Sequence, residues 1–349
     1  MSSGDPALLP AAQADRLRPR TGFSAVVRRP ELASLLGFVL ILALFLVLAP
    51  AFRSLSAMAT ILYASSTLGI VALAVGMLMI GGEFDLSSGV AVTSAALAAS
   101  MLNYNLHLNV WVGALLALLI SVSIGALNGF LVTRTGIASF LITLAAFLML
   151  QGLNLAVTKL VTGQVATPGI SNMEGFASAR AVFAGTFQVG GVTLNVTVLW
   201  WVAFVALASF VLFRTQFGNW IFAVGGNEDA ARAVGVPVRR VKVSLFMLVG
   251  FAAWFVGMHT LMAFDSIQAG QGVGNEFLYI IASVIGGCVL TGGRGTAVGT
   301  AIGALIFGMT NQGIVYAGWN PDWFKFFLGA MLLFAVFTNT SFAAYTKRK

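Results

Sequence analysis

Few residues in this chain could do chemistry, and most of them sit in one stretch. Between Arg214 and Lys242 lie Arg214, Glu228, Asp229, Arg232, Arg239, Arg240 and Lys242, and the nearest charges outside it are Arg180 and Asp265. No nucleophile, base or metal set assembles there, so what the pattern offers is docking rather than catalysis. Asn227 is a good helix N-cap, and Glu228 with Asp229 puts negative charge on the first turn, where the helix dipole favours it. Ala230, Ala231, Arg232, Ala233 and Val234 are mostly strong helix formers. Gly235 supplies a left-handed stop, and Pro237 prevents continuation. The spacing predicts a helix of about two turns, roughly 12 Å long, between Gly225-Gly226 and Gly235-x-Pro237. So short a helix is marginal alone in water, which favours an element held against another protein over a plain capped loop.

Four further ionisable residues, Glu83, Asp85, His259 and Arg294, fall in or beside apolar stretches. A charge at membrane depth costs at least about 2.5 to 3.5 kcal/mol, so each needs a reason. Asp85 precedes Leu86-Ser87-Ser88 and is placed to cap or orient the next helix, with direct substrate contact as the second reading. Arg294 either snorkels to the interface or pairs with Glu83 or Asp85. His259 reads as a packing residue, and so does Cys288, which as the one cysteine makes no internal disulfide. No Cys/His cluster has metal spacing, so no bound metal is expected. The amides Asn128, Gln151, Asn154, Asn311 and Gln312 fit helix-to-helix hydrogen bonding.

The elements that must position these residues follow from composition. Of 349 residues 59% are hydrophobic and 9% charged, against roughly 45–50% and 25% in soluble domains. Continuous apolar runs of about 20 residues, rather than alternation, predict an all-α polytopic transmembrane helix bundle. About ten spans are expected, near 32–50, 57–80, 86–102, 111–133, 137–158, 196–213, 243–262, 276–291, 296–316 and 323–340. The apolar run behind Arg16, Arg18, Arg20, Arg28 and Arg29 exceeds a signal-peptide core, so the first span is expected to be retained. Arg134, the charged stretch, Arg294 and both basic tails fall on one side, which predicts cytoplasmic N- and C-termini. The expected organisation is a tail (1–31), a transmembrane domain (32–340) containing the loop 214–242, and a tail (341–349). The net charge of +8 reports orientation, and no basic face suits nucleic acid; membrane lipid is the expected surrounding. On the opposite side, the segment from Lys159 to Asn195 is long for a bare connection and is a candidate docking surface.

Glycine is the second anomaly, with 39 residues that cluster at Gly81-Gly82, Gly286-Gly287 and Gly292-Gly293-x-Gly295. In membrane helices such clusters permit close crossing and local unwinding. Gly81, Gly82, Asp85, Gly286, Gly287, Gly292, Gly293 and Arg294 are therefore the candidates for the translocation path or for orienting its helices. Gly299-x3-Gly303 fits generic helix packing.

Asp229-Ala230-Ala231-x3-Gly235 resembles the Glu-Ala-Ala-x3-Gly loop of ABC-importer permeases. Gly81-Gly82-Glu83-Phe84-Asp85-Leu86-Ser87-Ser88-Gly89 is similar to the Gly-Gly-Ile-Asp-Leu-Ser-x-Gly signature of ribose/xylose-type sugar permeases, with an extra acid at Glu83. Ile285 to Thr296 resembles their second glycine-rich signature, and Gly136 to Leu144 also matches, although the family commonly has proline near Ala138 or Ser139. The resemblance implies that Gly225, Gly226, Asn227, Glu228, Asp229, Ala230, Ala231, Arg232 and Gly235 form the coupling helix that sits in a groove of an ABC ATPase subunit. It also implies a second permease copy, an external sugar-binding protein that largely sets specificity, and an inner-membrane location. The chain lacks a Gly-x4-Gly-Lys-[Ser/Thr] loop, so ATP and Mg²⁺ are expected on the partner and no cofactor on this chain. A secondary transporter coupled to H⁺ or Na⁺ is the competing reading; it accounts for Asp85 and the glycines but not for the capped helix. An integral membrane enzyme is disfavoured for want of assembled catalytic groups.

Overall fold

A computed structural model describes residues 30–347. The N-terminal tail arginines and the last two residues, Arg348 and Lys349, lie outside the described residues. The chain is a multi-pass helical bundle. Its long helices are α1 (Pro30–Leu48), α2 (Leu55–Ile80), α3 (Ser88–Leu106), α4 (Val110–Thr135), α5 (Ser139–Thr162), α7 (Val196–Arg214), α10 (Val238–Phe264), α12 (Ala297–Tyr316) and α13 (Trp323–Lys347). Between them lie the shorter α6 (Phe176–Ala184), α8 (Gln216–Gly226), α9 (Glu228–Ala233) and α11 (Asn275–Ile285). By length and composition, α2, α4, α5, α7, α10 and α12 can cross a membrane.

Helix α2 is the axis. From Leu68 to Ile80 every side chain is buried, because α12, α11, α10 and α7 pack around it. Small residues set the spacing: a β-carbon on Gly69 would lie 2.3 Å from the Trp201 indole nitrogen on α7, and one on Gly303 would lie 2.0 Å from the Ala282 carbonyl on α11. Leu148, Met149, Leu153 and Leu160 on α5 remain exposed, as expected of a helix facing lipid.

Two segments depart from the expected pattern. Part of the 159–195 segment is an antiparallel hairpin, β1 (Thr186–Val189) with β2 (Val192–Asn195), turned by Gly190-Gly191, both at positive φ. Two adjacent left-handed residues are what a tight type I′ hairpin turn demands. The span expected over 276–291 is instead the 11-residue α11, about 16 Å long and too short to cross alone, followed by a glycine turn.

The chain reaches α11 by folding back into the bundle. Helix α10 runs antiparallel to α4, with the Ser121 hydroxyl donating to the Gly250 carbonyl at 2.7 Å and the Trp254 indole donating to the Ala114 carbonyl at 2.8 Å. After Asp265 the direction reverses: the Thr93 hydroxyl of α3 hydrogen-bonds the Gln271 carbonyl, and Gly272 and Glu276 sit against Gly89. Helix α11 then descends alongside α2, with the Ser283 hydroxyl donating to the Ala72 carbonyl at 3.0 Å and the Gly293 amide to the Ile80 carbonyl at 2.8 Å.

Candidate functional site

The short helix forms as its end residues dictate. The Ala230 amide donates to the Asn227 side-chain oxygen at 2.9 Å. At the other end Gly235 adopts φ +85°, and the Val236 amide returns to the Ala231 carbonyl at 3.0 Å. Glu228 and Arg232, one turn apart, pair at 2.6 Å. Ala231 is buried, whereas Asp229, Ala230, Arg232 and Gly235 are exposed. The sequence did not reveal that α9 follows directly on α8, a second helix that ends at Gly226 and is capped at its start by Thr215.

One buried cation ties this helix to the membrane core. The Lys242 ammonium lies 2.5 Å from both Glu228 and Glu83, and the Lys242 and Glu83 side chains are only 11% and 9% exposed. Glu83 therefore pairs with Lys242, not with Arg294. Arg294 is exposed and makes no ion pair among the described residues. Lys242 was the missed residue, and the signal was Glu83: a carboxylate added to a buried glycine turn demands a cation.

Below the ion pairs, the glycine clusters close on one another. A β-carbon at Gly225 would lie 1.8 Å from the Ile80 carbonyl and 2.7 Å from the Gly293 amide. One at Gly292 would lie 2.7 Å from both the Gly225 carbonyl and the Gly82 α-carbon, and one at Gly293 would lie 2.8 Å from the Gly226 α-carbon. Gly82, Gly225-Gly226 and Gly292-Gly293, far apart in sequence, thus form one backbone-on-backbone junction. Gly81 abuts Leu245 of α10, and Gly286 abuts Gly299 at the α11–α12 crossing. Gly287, at φ +94°, turns the chain away from α11.

The turn that carries Glu83 is held from two sides. Ser139 and Thr143 of α5 accept hydrogen bonds from the Phe84 and Leu86 amides, each at 3.0 Å. Asp85 accepts from the Ser87 amide at 2.8 Å and the Ser87 hydroxyl at 2.6 Å, while Asn128 donates to that hydroxyl at 3.0 Å. The carboxylate thus braces the N-cap residue of α3 rather than amides within the helix. A cleft of about 310 Å³ opens beside the charges, between Glu83, Glu228, Arg232, Arg239, Lys242 and the Gly136–Ala138 turn.

The remaining candidates are structural. His259 bonds through both ring nitrogens, to the Tyr63 hydroxyl at 2.9 Å and the Phe183 carbonyl at 2.8 Å. Asn154 meets Ser94 and the Val90 carbonyl of α3. Cys288 is buried, and no group of three or more metal-ligating side chains occurs among the described residues.

Residues 57–336 match the family model described as branched-chain amino acid transport system / permease component. The ribose import permease protein RbsC of Escherichia coli (strain K12) is 31% identical over 311 residues, 88% of this chain and 93% of its own. The galactose/methyl galactoside import permease protein MglC of Haemophilus influenzae is 32% identical over 327 residues, 89% of this chain and 94% of its own. The probable ABC transporter permease protein YphD of Escherichia coli (strain K12) is 32% identical over 88% of this chain and 89% of its own. No solved structure matches the chain. The matched range takes in the charged turn, the capped helix and the glycine junction, and the chain belongs to the ribose/xylose-type sugar ABC transporter permease family.

Proposed function

We propose that this chain is the inner-membrane permease subunit of an ABC importer for a ribose-class sugar or sugar alcohol, driven by a separate ATPase subunit docked on α9. The observation that carries the reading is the continuity of α9 with the core: Glu228 bonds Lys242, Lys242 bonds Glu83, and the preceding helix end is seated in the glycine junction. A push on α9 would therefore reach α2, α10 and the turn before α12 together. Two of the relatives are named for the import of ribose and of galactose or methyl galactoside, which supports a sugar cargo. The assembly would hold two copies of this chain, two ATP sites on the partner subunits and an external binding protein. Both termini are cytoplasmic and the chain crosses ten times, the eighth crossing being shared by the irregular 265–275 segment and α11.

The reading is tested by co-purification with the cognate ATP-binding-cassette subunit. Retention that is lost when 229–235 is scrambled supports it; uptake that survives ATP depletion but collapses with the ion gradient overturns it. Arg232→Glu places a third acid beside Glu228 and Asp229 and should weaken ATPase retention by roughly tenfold, read as the subunit ratio on purification, while leaving binding-protein affinity intact. Gly235→Val forces a β-branched residue into φ +85° at a local cost of about 1–2 kcal/mol. That variant should stay in the membrane and bind the ATPase subunit while losing sugar-stimulated ATP hydrolysis, and Gly235→Asn should retain it.

A further inference from the structure

The irregular segment between α10 and α11 takes no part in the coupling junction, yet it enters the bundle without being helix. Its backbone is pinned at several points. The Ile170 amide donates to the Asp265 carboxylate at 2.7 Å, the Thr93 hydroxyl holds the Gln271 carbonyl, and the buried Glu276 carboxylate accepts the Gly274 amide at 3.0 Å. Turns close between Gln268 and Gln271 and between Gly272 and Asn275. On this fixed backbone the Gln268 and Gln271 side chains are exposed, and neither amide bonds to another described residue. Space lies open beside them, since a β-carbon at Gly270 or Gly274 would meet nothing within 4 Å.

Non-helical backbone at membrane depth occurs only where protein buries it or where it lines a water-filled cavity. In the two-copy assembly proposed above, two amides without a described partner beside open space fit a water-filled cavity better than a packed contact between copies, which would leave them unsatisfied. We propose that Gln268 and Gln271 form a contact strip for the hydroxyls of a neutral sugar at the waist of the translocation path, an inference that rests on the importer reading above. A primary amide both donates and accepts, as a hydroxyl does, so the pair can replace hydration of a polyol without placing a charge in the path. Gly270 between them and Gly274 just beyond leave the space beside the amides open, and the pinned backbone fixes where the amides stand.

The test uses the assembled complex in proteoliposomes. Because native Cys288 is buried, Gln271→Cys and Gln268→Cys can be made in the unaltered chain, with Leu148→Cys on α5 as the lipid-facing control. A charged methanethiosulfonate should label positions 268 and 271 at least about tenfold faster than 148, and labelling no faster than at 148 overturns the proposal. The paired Gln268→Leu/Gln271→Leu variant should bind the ATPase subunit normally yet take up labelled ribose or galactose at least about tenfold more slowly, and uptake within about twofold of the parent overturns it. Failure of the importer reading shows separately, as a parent chain that does not retain the ATPase subunit, and the labelling comparison is read independently of that.

Discussion

Lys242→Met is expected to destabilise the protein by about 3–5 kcal/mol, the usual consequence of leaving one buried charge without its partner. The two carboxylates that share Lys242 are not equivalent. Glu228 is 38% exposed and still has Arg232, so water and a second cation can replace the lost contact. Glu83 is 9% exposed in its side chain and has Lys242 as its one ion-pair partner among the described residues. Glu83→Gln should cost less than Lys242→Met, because Lys242 keeps Glu228. The paired Glu83→Gln/Lys242→Met variant should recover more than half of the loss. Thermal unfolding of the four proteins in detergent closes the cycle; additive effects would show that the two side chains do not meet.

Gly225→Ala is the second large effect. The added methyl would sit 1.8 Å from the Ile80 carbonyl and 2.7 Å from the Gly293 amide, and neither backbone group can rotate away as a side chain would. Relief requires parting α8 from α2 and from the turn before α12, at a cost of at least about 1–3 kcal/mol, the range for overpacked cores. Gly226→Ala, one residue on, is the control. Its β-carbon would meet nothing within 4 Å, so the exchange should be neutral or gain up to about 1 kcal/mol of helix propensity. Gly225→Ala should therefore lower the melting temperature and abolish coupled uptake while Gly226→Ala does neither. Equal melting temperatures would rule out the three-way contact.

What the sequence revealed was mostly local. Asn227 and Gly235 delimit α9 because capping and left-handed stops act within one turn, and the apolar runs mark the helices because lipid imposes continuity. Arg294 offers a cation for Glu83 in the sequence because both lie in glycine-rich turns. Lys242 carries no comparable mark: it stands in a basic run that reads as solvated, and only the packing of α10 against α4 turns it inward. The hairpin at 186–195 is marked by Gly190-Gly191 between short alternating stretches, a signal that is weak beside the long apolar runs of the helices. The meeting of Gly82, Gly225 and Gly292 is set entirely by tertiary packing, which glycine spacing does not encode.

The glycine junction also has a mechanical consequence. Side chains between two moving elements behave as springs, since each can change rotamer and absorb part of a displacement. At Gly225, Ile80 and Gly293 the contacts are main chain against main chain, with no rotamers to yield. Such a joint has low compliance and loses little side-chain entropy when it shifts as a unit. In the importer proposed above, a displacement of α9 would pass to α2 and to the root of α12 through main chain alone, a stiffer linkage than one built of side chains.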